Sequence, residues 1–171
     1  MFEQAIREAM DNASKAITAD PDKARVKNAS ATASLKDRLT LSVTGPNGEA
    51  VETDMPKGVG GGGGVPQPGW LLRAALASCT ATAIAMRAAK VGIELDKLEV
   101  VVESHSDNRG LLGLDHEVSA ALIGLRAKVH IRATNASKNE LESIVRWGDA
   151  HSPVACTLRS AIATEIEMVV E

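Results

Sequence analysis

The sequence predicts an α+β fold in which antiparallel sheets surround one long central helix. Three observations carry this expectation. Residues 66–92, PQPGWLLRAALASCTATAIAMRAAKVG, form a long run of small and apolar residues. Period-two alternation precedes this run from Arg25 and resumes after it at Leu98. Apolar residues make up 44% of the 171 positions and charged residues 24%, a balance suited to one domain with a real core.

A short amphipathic helix is expected within residues 1–20, where Ala5, Ile6, Ala9, Ala13 and Ile17 recur at helical spacing and Pro21 ends the run. From Arg25 the period becomes two. Val26, Ala29, Ala31 and Ala33 lead across a turn at Lys36-Asp37 to Leu39, Leu41 and Val43. Gly45-Pro46-Asn47-Gly48 makes a second turn, and a short strand follows through Val51, completing a three-stranded antiparallel sheet. Residues 57–67 read as a flexible Gly-rich loop. Its run KGVGGGGGV lacks the Gly-Lys-Ser/Thr ending of a phosphate-binding loop, and a GxGxxG match is trivial among so many glycines.

The central helix is expected over residues 68–91. Pro68 suits a first helical position, Gly92 suits the residue past the end, and Lys90 complements the negative end of the dipole. Between Ala74 and Ala85 nearly every residue is Ala, Ser, Thr or Cys. A helix weakly polar on every side is expected to be buried on every side, and small residues admit a second helix closely. That places Cys79 in the wall of a helix–helix contact. Arg73, Arg87 and Lys90 interrupt the apolar run, which argues against a membrane span.

Past this helix, Leu98, Val100 and Val102 alternate with Glu99, Val101 and Glu103 as a strand. The turn region HSDNRGLLGLDH carries His105, Asp107, Asp115 and His116 without the tight spacing of a metal site, so a solvated hairpin is expected. The next strand, Leu122 to Ala133, buries Leu125, Val129 and Ile131. Its other face shows Arg126, Lys128, His130 and Arg132, a basic row expected to pair across strands with Glu99 and Glu103 rather than grip an anion. Ser137 and Glu140 form a capping box for a helix reaching Ala150, with Leu141, Ile144, Val145 and Gly148 inward. Pro153 opens a short helix carrying Cys156, and Ile162, Thr164, Ile166, Met168 and Val170 mark a final strand.

A formal charge of −3, no Tyr, one Phe and two Trp leave neither a basic excess nor a base-stacking platform, which argues against nucleic acid as a partner. The first residues include Glu3 and Arg7 with no long apolar run, so no signal peptide is read there. A cytoplasmic protein is expected, and its two cysteines are then thiols rather than a structural disulfide.

The element order resembles that of the OsmC/Ohr family, the osmotically inducible and organic-hydroperoxide-resistance proteins. The residues that carry the resemblance are Pro66-x-Pro68 with Leu71-Leu72-Arg73-Ala74-Ala75-Leu76-Ala77-Ser78-Cys79. They continue with Asp107-Asn108-Arg109-Gly110-Leu111-Leu112-Gly113-Leu114-Asp115, and with Ser152-Pro153-Val154 and Thr157-Leu158-Arg159. The resemblance covers nearly the whole chain. It implies an intertwined homodimer whose central helices cross between two sheets. It also implies reduction of organic hydroperoxides in oxidative-stress defence, with no cofactor beyond an external thiol or dithiol reductant. By the same resemblance the peroxidatic cysteine falls on Cys79, and an arginine of the first sheet, Arg38 or Arg25, stands beside it. This chain departs from the family pattern at two positions: Ser152 stands where the second cysteine precedes Pro-Val, and Trp70 stands where an active-site Glu precedes the two leucines.

The departures bear on chemistry. A thiolate is the nucleophile, and a free thiol near pKa 8.5 is mostly protonated at neutral pH. Cys79 lies about three turns into its helix, beyond the reach of the dipole's end, so a nearby cation must ionise it. Cys156 follows Ser152 by one helical turn, about 5–6 Å, and is the candidate substitute for the missing thiol. A catalytically degenerate dimer binding an apolar small molecule under Trp70 is the alternative reading.

Overall fold

The computed structural model describes residues 2–160 and 162–170, which divide into two compact units. One holds residues 1–7 and 76–171, the other residues 8–75.

In the unit of residues 8–75, most of helix α1 (Phe2–Ala19) leads into a three-stranded antiparallel sheet of order β1-β2-β3. β1 (Thr32–Asp37), β2 (Thr40–Thr44) and β3 (Ala50–Thr53) stack Leu35 on Leu41 and Thr53, and Ala33 on Val43 and Val51. The first turn falls at Arg38-Leu39 rather than Lys36-Asp37. A register shift between Leu35 and Asp37 adds a residue to β1, and Arg38 absorbs the reversal at φ +49°. Residues 26–31, expected to extend this strand, lie outside the sheet. All six residues of β1 are exposed, including Leu35.

The Gly-rich segment is a built turn, not a free linker. Asp54, buried at 3% exposure, accepts the N–H of Met55 at 2.7 Å, of Gly62 at 2.7 Å and of Gly63 at 3.0 Å. Successive backbone N–H groups thus form an anion nest, and the anion is the chain's own carboxylate. Burial by itself would raise the pKa of Asp54; the bonds from Met55, Gly62, Gly63 and the Thr40 side chain outweigh it and hold the carboxyl below its ordinary value. Gly61 must lack a side chain, because a Cβ there would lie 1.9 Å from the Met55 carbonyl oxygen.

The long helix α2 (Pro68–Val91) begins at Pro68 and stops before Gly92, whose φ of +78° lies in the left-handed region. From Leu76 onward it belongs to the other unit, where α2 packs with β4 (Lys97–His105), β5 (Gly124–Arg132) and α4 (Lys138–His151). Ile84, Ala88, Ile93, Ala133 and Ile144 form the core of that unit, with Leu98, Val100, Val129 and Ile131 beside them. At the α2–α4 crossing Gly148 meets Ile84 so closely that a Cβ would lie 2.4 Å from Ile84 Cγ1. The Ser137–Glu140 capping box starts α4. Arg87, in the interior of α2, lies 5.4 Å from the Trp147 ring centroid, and His151 stacks on Trp147 at 3.9 Å.

The β4–β5 ladder places Glu99 opposite His130 and Glu103 opposite Arg126. The connection between them is ordered by Asp107, which caps the short helix α3 (Asn108–Leu111) and takes the Arg109 guanidinium at 2.6 Å. Those hydrogen bonds, foremost from the Arg109 side chain, hold the Asp107 carboxyl down at about 2. Among the described residues no three His, Cys, Asp or Glu side chains gather as a metal site. After α5 (Pro153–Arg159), residues 162–170 form no strand, and Ile166 and Met168 are 92% and 83% exposed. The alternation is present in the sequence, but a strand needs a neighbouring strand, and this segment has none among the described residues.

Candidate functional site

Cys79 sits on the border between two faces of α2. Leu76, Thr80, Ala83, Ile84, Ala88 and Ala89 are buried. Leu72, Ala75, Ser78, Thr82 and Met86 are exposed. The expectation of burial on every side is therefore corrected: within one chain α2 buries one face. Cys79 is half-buried, and both cysteines are free thiols. Among the described residues α2 is the one helix long and apolar enough to cross a membrane, and the packing of Arg87 on Trp147 ties its interior to protein instead.

Next to Cys79, Thr80 turns inward and is 3% exposed. Its hydroxyl lies 3.5 Å from the hydroxyl of Ser152, which is fully buried and accepts the Ala155 N–H as the N-cap of α5. Ser152 therefore aims at the turn of α2 that bears Cys79. Sequence reasoning singled out Ser152 but missed Thr80, whose only signal was its place directly after the cysteine.

Cys156 is engaged otherwise. Its thiol donates to the carbonyl of Ala150 at 3.3 Å. That carbonyl belongs to the last turn of α4, where carbonyls lack helical partners and the dipole is negative. On the same helix, Arg159 forms an ion pair with Asp149 and donates to the Asp149 carbonyl at 3.2 Å. A cavity of about 430 Å³ opens here, lined by Leu76, Thr80, Leu125, Val129, Ala155 and Leu158 among others.

The remaining sequence-predicted residues lie in the unit of residues 8–75. Arg38 occupies the hairpin turn and is exposed; Arg25, also exposed, follows the turn at Pro21–Ala24. Trp70 is 49% exposed in the first turn of α2, beside a cavity of about 270 Å³ shared with Pro66, Gln67 and Arg73.

Residues 60–167 match the family model described as OsmC-like protein. Comparison with curated proteins returned no match. Among solved structures, an organic hydroperoxide resistance protein OsmC from Legionella pneumophila is similar at 25% identity and a TM-score of 0.62, covering 79% of this chain and 91% of its own. An OsmC-like protein from Mycoplasma pneumoniae superposes at a TM-score of 0.67 with 18% identity, over 80% of this chain and 91% of its own. The organic hydroperoxide resistance protein OhrB of Bacillus subtilis does so at 0.54 and 18%, over 80% and 94%.

Proposed function

Because this chain belongs to the family of OsmC-like proteins, we propose that it is a cytoplasmic, homodimeric thiol peroxidase that reduces organic hydroperoxides through Cys79. The observation that carries the reading is the placement of Cys79 at the border of the buried face of α2, one residue before the Thr80–Ser152 contact. In the proposed reaction the Cys79 thiolate attacks the distal peroxide oxygen. The O–O bond breaks, the alkoxide takes a proton and leaves as alcohol, and Cys79 becomes a sulfenic acid. One external thiol displaces water to form a mixed disulfide, and a second reduces it, so the reductant supplies both electrons.

The hydrogen bond from Cys156 to Ala150 supports an external thiol as the resolving group over an internal one. Cys79 lies about 16 Å from the start of α2, too far for the helix dipole to ionise it. The counter-cation is an arginine of the first sheet, Arg38 or Arg25, by the resemblance. Exposed small side chains on α2 (Ala75, Ser78 and Thr82) and the exposed face of β1 support pairing with a second copy. The test is consumption of cumene hydroperoxide with a dithiol by the full chain. Loss in Cys79→Ser supports the proposal, and equal rates in the two proteins overturn it.

Trp70 favours a second reading, an apolar ligand held beside its exposed ring. Fluorescence titration of parent and Trp70→Phe proteins with fatty and aromatic ligands tests it, and flat curves for both defeat it.

A further inference from the structure

The start of α2 sets an aromatic ring and a cation over one concavity. Val65, Pro66, Gln67, Trp70 and Arg73 line the cavity of about 270 Å³, and all five lie in the unit of residues 8–75. Among the described residues this lining holds one cation and no carboxylate, and the first turn of α2 has no acidic residue. Trp70 and Arg73 are three positions apart and therefore neighbours on the helix surface. Arg73 leans back toward the helix start, where its Nη1 lies 3.8 Å from the place a Cβ on Gly69 would take. The wall is also preformed. The Pro66 carbonyl accepts the Asp54 N–H at 3.1 Å, and the Gln67 carbonyl accepts the Trp70 N–H at 2.9 Å. The Asp54 carboxylate in turn holds Gly62 and Gly63. A ligand entering here has little backbone left to order.

Size and chemistry together define the occupant. Benzene fills an engineered cavity of about 150 Å³, so this one has room for one or two fused rings. The indole face, half exposed, stacks a flat ring. A guanidinium takes a carboxylate with two parallel N–H bonds, and its five donors serve more than one acceptor at once. A ringless anion would leave the Trp70 ring in water, and a neutral arene would draw nothing from the cation. We infer that this cavity binds a small aromatic acid, with its ring against Trp70 and its carboxylate on Arg73. Trp70, standing where the resemblance implies a Glu, supplies the ring and removes a charge that would repel the acid. This inference rests on the second reading above, a ligand beside Trp70, and names the class of that ligand.

The test is titration of the nitrogen-15-labelled full chain, read at the indole N–H signals of its two tryptophans. Trp70→Phe assigns them, and Trp147, in the other unit, is the internal control. The expected result is that 2-naphthoate moves the Trp70 signal saturably and leaves Trp147 in place. The parent should bind 2-naphthoate about tenfold more tightly than 2-naphthylmethanol, a comparison that needs no variant. Arg73→Gln should abolish that difference by weakening the acid alone, with its circular dichroism unchanged. Equal affinity of the parent for the two probes overturns the inference and leaves the apolar-ligand reading standing. Acetate moving the Trp70 signal at the same concentrations as 2-naphthoate overturns it too, because the ring then contributes nothing. A Trp70 signal unmoved by either naphthalene overturns both the inference and the reading beneath it.

Discussion

Gly148→Ala isolates the closest approach in the core. In a helix interior the exchange itself favours folding by about 1 kcal/mol, since Gly loses more backbone entropy than Ala. Against that gain, the new Cβ would lie 2.4 Å from Ile84 Cγ1, 2.9 Å from its N and 3.1 Å from its Cα. Ordinary carbon contacts stand near 3.5–4.0 Å. The Ile84 side chain has no room to rotate away, because it is 0% exposed and packed among Ala88, Ile93 and Ile144. Two of the three close atoms are backbone, so α2 and α4 must separate. Overpacking of this kind costs about 1–3 kcal/mol, and the backbone contacts put this site at the upper end. The net expectation is a loss of about 1–2 kcal/mol, or roughly 2–8 °C in Tm for a chain of this size. Thermal unfolding followed by Trp fluorescence and circular dichroism, at fixed protein concentration, measures it. Gly124→Ala is the control, since a Cβ there meets nothing within 4 Å, and it should be neutral or slightly stabilising. Gly148→Ala as stable as the parent would refute the close crossing.

Three further outcomes are expected. Cys156→Ser should retain at least half of any hydroperoxide turnover, while Cys79→Ser loses it; equal loss in both would point to an internal disulfide. The Asp54 carboxyl lies below its ordinary value of 3.8 in the fold, so its contribution is fully present above about pH 4. That contribution is lost as pH falls through the lower, folded value, and urea midpoints of Asp54→Asn should therefore fall less than the parent's between pH 5 and 3. Asp107, held at about 2 chiefly by the Arg109 side chain, should titrate higher in Arg109→Ala, though still below the ordinary range because the backbone N–H at position 109 remains a donor; carboxyl-resolved NMR reads this directly, and an unmoved midpoint would mean the side-chain pair is not what depresses it.

How much of this protein could be read in its sequence follows from the range of each interaction. The bounds of α2, the capping box of α4 and the alternation of β4 were legible because they rest on residues within about four positions of one another. The pairing of Glu99 and Glu103 with the basic row was legible as well, since period two puts each set on one face and register does the rest. Around Cys79 the chemistry-bearing residue types were plain, and so was the absence of a second cysteine before Pro153.

Only tertiary structure decided the rest. The Gly-rich run became a fixed turn because Asp54, eight residues before Gly62, needed its buried charge satisfied. Thr80 turned inward to Ser152 across 72 residues of chain, and Cys156 became a donor to the end of another helix. The hairpin reversed at Arg38 because a bulge, invisible to periodicity, shifted β1 by one residue. Small residues on every side of α2 told that a helix could come close, but not that α4 would do so, where Gly148 meets Ile84. A sequence specifies which surface must be covered, whereas the partner that covers it is a property of the assembled fold, where the burial of apolar area and the pairing of backbone groups are settled together.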